Sequence, residues 1–216
     1  MNFVPEFEKA FSACPLVAIL RGVTPEEVES IGEALVEAGF RLIEVPLNSP
    51  QPLDSIARLA ARLEGRAMVG AGTVLSVEQV AQVQDAGGQI VVSPNTNVRV
   101  IAATAAAGLA SLPGFATPSE AFAALNAGAT ALKLFPAEAS SPQALKAARA
   151  VLPKDLAVLP VGGIDIDNMQ PWLAAGASGF GLGSALYKPG WTASEVGERA
   201  RAFVEAVGRL SAAQSQ

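Results

Sequence analysis

The chain has 216 residues, half of them hydrophobic, enough to bury a substantial core and matching one domain over residues 1–216. Its formal charge of -5, drawn from 20 acidic and 15 basic residues with no block of like sign, excludes the basic footprint of a nucleic-acid groove or an anionic membrane surface and leaves a small molecule or a second copy as partner. Histidine is absent and Cys14 is the only cysteine, which excludes an intrachain disulfide and a thiol zinc cluster and leaves catalysis to carboxylates, lysine, hydroxyls or backbone.

Residues 1–14 read as an extra N-terminal helix in which Glu6, Glu8 and Lys9 precede any apolar stretch, the wrong order for a secretory signal, so a reducing cytoplasm is the expected compartment. The first apolar run, PLVAIL, ends at Arg21-Gly22, and Thr24-Pro25 opens a helix predicted over Pro25–Ala38. RLIEVPL and AMVGAGTV follow as strands, then a helix over Val77–Ala86 and the strand QIVVSP. Val100–Ala116 is nearly uncharged but alanine-rich, broken by Gly108, Pro113 and Gly114, and shorter than the roughly 20 apolar residues of a membrane span. LASLPG is the fifth strand run. Thr117-Pro118-Ser119-Glu120 then opens a helix over Ser119–Ala127, ALKLFP is a strand, and Ser141-Pro142 opens a helix over Ser141–Val151. AVLPVGG and GFGLGS complete eight strand runs, and the polar tail after Leu210 is expected to fray.

Most of these runs lack apolar/polar alternation, so strands covered on both faces are expected. Gly39, Gly87, Gly108, Gly128 and Gly176 each follow an alanine just before a strand, where a helix ends on a left-handed residue. Eight strand–helix–glycine units predict a (β/α)8 TIM barrel with an extra N-terminal helix; an open doubly wound sheet is the alternative.

Two ionisable residues interrupt these runs. Lys133 lies inside ALKLFP, where burial favours the neutral amine, the form that attacks a ketone; a lysine snorkelling at a strand end or neutralising a buried acid fits equally. Glu44 lies inside RLIEVPL and is either half of a structural ion pair or the proton carrier that a histidine-free chain requires. Arg21 closes the first strand run and adds a cation to the same face, or is a solvated loop residue. Glycine clusters at Gly162-Gly163 and around Gly181, Gly183 and Ser184 follow the seventh and eighth runs, where barrels hold phosphate, although glycines also serve ordinary turns. Gly70-Ala71-Gly72-Thr73 offers amides and a hydroxyl to a carboxylate or keto oxygen, or else Thr73 or Ser76 caps the next helix; Ser93-Pro94-Asn95 fits a turn.

The motifs Ile19-Leu20-Arg21-Gly22, Ile43-Glu44-Val45, Gly70-Ala71-Gly72-Thr73-Val74, Ser93-Pro94-Asn95, Lys133-Leu134-Phe135-Pro136, Gly162-Gly163 and Gly181-Leu182-Gly183-Ser184 stand in one order from about Pro15 to Phe203. In that combination the chain resembles the class I 2-keto-3-deoxy-6-phosphogluconate/galactonate aldolases. The resemblance implies that Lys133 forms a Schiff base and Glu44 moves protons, that Thr73 with neighbouring amides holds the pyruvyl carboxylate, that Gly162, Gly163, Gly183 and Ser184 cradle the phosphate, and that Arg21 binds substrate. It further implies a phosphorylated 2-keto-3-deoxy sugar acid as substrate, pyruvate and glyceraldehyde 3-phosphate as products, no metal or organic cofactor, and a homotrimer. Where the phosphogluconate branch carries an arginine four residues after the catalytic glutamate, this chain has Asn48, and Pro46-Leu47-Asn48-Ser49-Pro50 is similar to the phosphogalactonate branch. The rival functions are a barrel isomerase or epimerase with Glu44 as base, and a phosphometabolite sensor without catalysis.

Overall fold

A computed structural model describes residues 2–214. In chain order the first half runs α1 (Val4–Ala13), β1 (Leu16–Ile19), α2 (Val28–Ala38), β2 (Leu42–Pro46), α3 (Pro52–Arg62), β3 (Met68–Gly72), α4 (Val77–Asp85), β4 (Ile90–Val92) and α5 (Val98–Ala106). The second half runs β5 (Ala110–Leu112), β6 (Gly114–Phe115), α6 (Pro118–Asn126), β7 (Leu132–Leu134), a 3-10 turn (Ala137–Ala139), α7 (Pro142–Arg149), β8 (Val158–Pro160), α8 (Met169–Ala174), β9 (Phe180–Leu182) and α9 (Ala193–Gln214). No helix among the described residues is long and apolar enough to cross a membrane.

The strands are parallel and form two sheets, ordered β5-β4-β3-β2-β1-β9 and β6-β7-β8. The fifth predicted run therefore becomes two strands. Pro113 divides it because a proline has no N–H to place in a ladder, and β5 pairs with β4 while β6 pairs with β7. Hydrogen bonds still cross the seam: the Ser111 carbonyl accepts from the Ala131 N–H at 3.2 Å and the Pro113 carbonyl from the Lys133 N–H at 2.9 Å. On the other side, Val161 bridges Gly181 in parallel.

Every strand residue is buried, as expected for a sheet covered on both faces. Alternate side chains go to two apolar clusters. Leu16, Ala18, Ile43, Val45, Leu132 and Leu134 join the helices in the outer cluster. Val17, Leu42, Met68, Ile90, Leu112, Ala131 and Leu159 form the inner one, against which Phe7 of α1 packs, so the predicted extra helix covers the end where these strands begin.

Helix boundaries follow local chemistry. Thr117 and Glu120 form a reciprocal capping box at α6, and the Ser141 hydroxyl accepts from the Ala144 N–H at α7. At α4 it is Ser76, not Thr73, that caps, in a box with Gln79. The five predicted helix-ending glycines all adopt positive φ. The bounds of α4, α6 and α7 depart from expectation by one or two residues; more widely, α2 begins at Val28 after a turn over 25–27, and α9 continues past Leu210 to Gln214, while residues 215 and 216 of the expected frayed tail lie outside the described residues.

Candidate active site

The period-two alternation of a strand decides where the two anomalous charges go. Glu44 lies between the outward Ile43 and Val45, and Lys133 between the outward Leu132 and Leu134, so both turn inward. Their exposures are 1% and 7%. They line one small cavity whose other walls are Val17, Ile19, Val92, Leu112, Leu159, Val161 and Gly181. Against so apolar a wall each group's hydration is lost, and the two titrations shift toward the neutral forms.

Burial raises the Glu44 carboxyl to about 7, against which the positive charges of Lys133 and then Arg21 pull downward. Burial lowers the Lys133 ammonium, the Glu44 charge resists, and Arg21 adds to the lowering. Arg21 thus acts electrostatically on both. No ion pair of 4.0 Å or less joins Lys133 to Glu44, and Glu44 Oε2 is buried without a hydrogen-bond partner. The Lys133 Nζ lies 4.6 Å from the centre of the Phe135 ring. Two groups biased toward their neutral forms in one cavity have the chemistry for proton movement and nucleophilic attack.

The remaining predicted residues stand just past the ends of other parallel strands: Arg21 after β1, Thr73 after β3, Gly162-Gly163 after β8 and Gly183-Ser184 after β9. Val161 bridges Gly181, so Gly162-Gly163 lies beside Gly183-Ser184, and Val17 also pairs with Gly181, which brings the Arg21 loop to the next position. Gly183 and Ser184 are partly or fully open to solvent. Thr73 has a φ of 58°, an outlier for a β-branched residue and the kind of strain that persists where surroundings over-determine it. Pro46 pairs with Gly72, placing Thr73 beside the β2 strand that carries Glu44.

Several supporting contacts, some of them made by residues the sequence singles out, escape sequence reasoning. Arg21 Nη1 donates to Asn48 Oδ1 at 2.8 Å and the Gly22 N–H donates to Ser49 Oγ at 2.9 Å, so the loop after β2 braces the loop after β1. The buried Ser93 hydroxyl donates to the Val74 carbonyl at 2.7 Å, tying down the Thr73 turn from the next strand. The Tyr187 hydroxyl donates to Glu27 at 2.8 Å, joining the loop after β9 to the start of α2. Nothing in the order of residues announces a contact across 160 positions. A second groove, lined by Asp165, Trp191, Glu198 and Arg199 on the helical flank, contains none of the predicted site residues.

A model of the family described as KDPG and KHG aldolase matches residues 7–202. The chain belongs to that family. This aldolase, an aldehyde-lyase, is 48% identical over 192 residues to the probable 2-dehydro-3-deoxy-6-phosphogalactonate aldolase of Rhizobium meliloti (strain 1021), covering 89% of this chain and 91% of that one. It is 47% identical over 192 residues to the 2-dehydro-3-deoxy-6-phosphogalactonate aldolase of Escherichia coli (strain K12), covering 89% and 94%. A solved structure described as native KDPGal superposes on the aldolase with a TM-score of 0.90 at 46% identity, covering 91% of this chain and 96% of the other.

Proposed function

We propose that this aldolase cleaves 2-dehydro-3-deoxy-6-phosphogalactonate to pyruvate and glyceraldehyde 3-phosphate through a Schiff base on Lys133. The observation that carries the reading is the sharing of one small, largely apolar cavity by Lys133 and Glu44, with the amine and the carboxyl each biased toward neutrality. The neutral amine adds to the C2 carbonyl, and loss of water gives an iminium. That cation draws the C3–C4 electron pair into an enamine as the C4 hydroxyl proton passes to Glu44, directly or through a water, and the C4 carbon leaves as the aldehyde. Glu44 then returns a proton to C3, and hydrolysis frees pyruvate and the amine. A carboxyl near pKa 7 is suited to taking and giving the same proton at neutral pH.

In this reading the Thr73 turn holds the pyruvyl carboxylate, Arg21 contacts the sugar acid, and Gly162, Gly163, Gly183 and Ser184 receive the phosphate, for which the space at Gly183 beside the exposed Ser184 leaves room. The galacto epimer is favoured over the gluco epimer because Asn48, standing where the phosphogluconate branch has an arginine, is engaged with Arg21 rather than adding a cation. The two relatives at 47–48% identity bear the phosphogalactonate name. We further propose that the two sheets form one closed eight-stranded barrel, supported by the bonds across Pro113 and the Val161–Gly181 bridge, and that the chain works in the cytoplasm as a homotrimer.

Borohydride reduction in the presence of pyruvate is expected to add a reduced pyruvyl group to the peptide containing Lys133, and Lys133→Ala is expected to lose the adduct and several orders of magnitude in turnover. An unmodified Lys133 peptide, or undiminished turnover in Lys133→Ala, would reject the Schiff base; such a result with sugar-phosphate isomerisation would favour an isomerase. Cleavage rates on the two epimers test the preference, which fails if the gluco form is cleaved as fast.

A further inference from the structure

The 3-10 turn after β7 carries Glu138 across to the turn after β8, held there by the Ala137 N–H donating to the Val161 carbonyl at 2.9 Å. Both glycines of that turn have left-handed backbones, with φ of 106° at Gly162 and 65° at Gly163. A Cβ built on Gly162 would run into the Glu138 carboxylate through Oε2, and one on Gly163 would come within 2.6 Å of Glu138 Cγ. The Glu138 side chain therefore lies flat over the pair of glycines proposed to seat the phosphate. It is exposed, and among the described residues no hydrogen bond or salt bridge to it occurs, so its side chain is free to move there. The turn itself is rigid by other means: Asn168 Nδ2 donates to the Gly163 carbonyl at 2.7 Å.

We propose that Glu138 is a specificity-determining residue, a movable carboxylate that covers the Gly162-Gly163 turn and must swing aside to admit a phosphate. The proposal rests on the reading of that turn as the phosphate seat. A carboxylate and a phosphate are both anionic hydrogen-bond acceptors that repel one another, so they compete for the same surface. Free inorganic phosphate meets this repulsion with nothing to offset it. A phosphorylated keto acid meets the same repulsion but offsets it with its carboxylate and its bond to Lys133, so the cover keeps bare anions from filling the seat while the substrate still binds. Glu138 acts on binding of the phosphate end and has no part in the carbon–carbon step.

Inhibition of cleavage by inorganic phosphate, measured in the native chain and in Glu138→Gln, tests the idea. Replacing one negative charge by an isosteric amide at contact range in a solvated setting is expected to strengthen phosphate inhibition about 5- to 30-fold and to lower KM for the phosphorylated substrate. Glu138→Asp, which draws the carboxylate back, is expected to fall between the two. A purely structural role predicts loss rather than gain, so equal or weaker phosphate inhibition in Glu138→Gln would overturn the proposal. Failure of phosphate to compete in either protein would remove the seat and the proposal together, while pyruvate trapping on Lys133 of the native chain reports separately on the aldolase reading.

Discussion

Glu44 and Lys133 illustrate how burial rather than pairing sets chemistry. The cavity wall strips water from both, and their mutual attraction only partly opposes that loss, since the carboxyl ends near 7 rather than below its usual range. The folded chain consequently retains a proton on Glu44 that the unfolded chain releases near 4.5. Stability from this group is full below the unfolded value and declines as pH rises through about 7, by at most about 3 kcal/mol at complete ionisation. Glu44→Gln is expected to melt higher than the native chain at pH 8, with the difference shrinking toward pH 4, while cleavage falls about 10²- to 10⁴-fold. Thermal melts of the two proteins across that range check the sign; a variant that is less stable at pH 8 than at pH 4, relative to the native chain, contradicts it.

At the scale of elements, parallel register converts a strand pair into a catalytic mount. Pro46 sits opposite Gly72, and the missing side chain of Gly72 is the space the Glu44 carboxyl occupies, because a Cβ there would run into it. Gly72→Ala is expected to destabilise the chain by about 1–3 kcal/mol and to displace the carboxyl. In a Glu44→Ala background the same change is expected to cost much less, because the collision partner is gone. Denaturant midpoints of the four proteins measure the coupling, and additive costs would show that Gly72 matters for some other reason. Gly70-Ala71-Gly72-Thr73 could be read as a site from its small residues, but its two roles, room for Glu44 and the strained Thr73 turn, depend on the neighbouring strand and could not.

For the whole molecule, the loops carrying Arg21, Thr73, Gly162 and Ser184 gather at one end because the strands are parallel, while α1 covers the other. Sedimentation of the intact protein is expected to give a mass near three times its 22.0 kDa chain, and a monomer at micromolar concentration would defeat the trimer. A fold of this kind was largely legible: buried strands show as uninterrupted apolar runs, and helix ends show as cap residues and glycines. It failed at LASLPG, where Pro113 was visible but the ladder each half joins was not. It failed again at the start of α2 and the end of α9, where propensity is weak and neighbouring packing sets the boundary.

The sequence alone determined that one amine and one carboxyl stand in apolar strands and that alternation turns each to the face opposite its apolar neighbours, because those properties are local. Only the tertiary structure decided that these two faces meet in one cavity, that Asn48 and Ser49 brace the Arg21 loop, and that Glu138 lies over the Gly162-Gly163 turn. Such contacts join residues far apart in the chain through sheet pairing and loop path, and neither hydrophobic period nor side-chain type encodes which distant partner a given loop will reach.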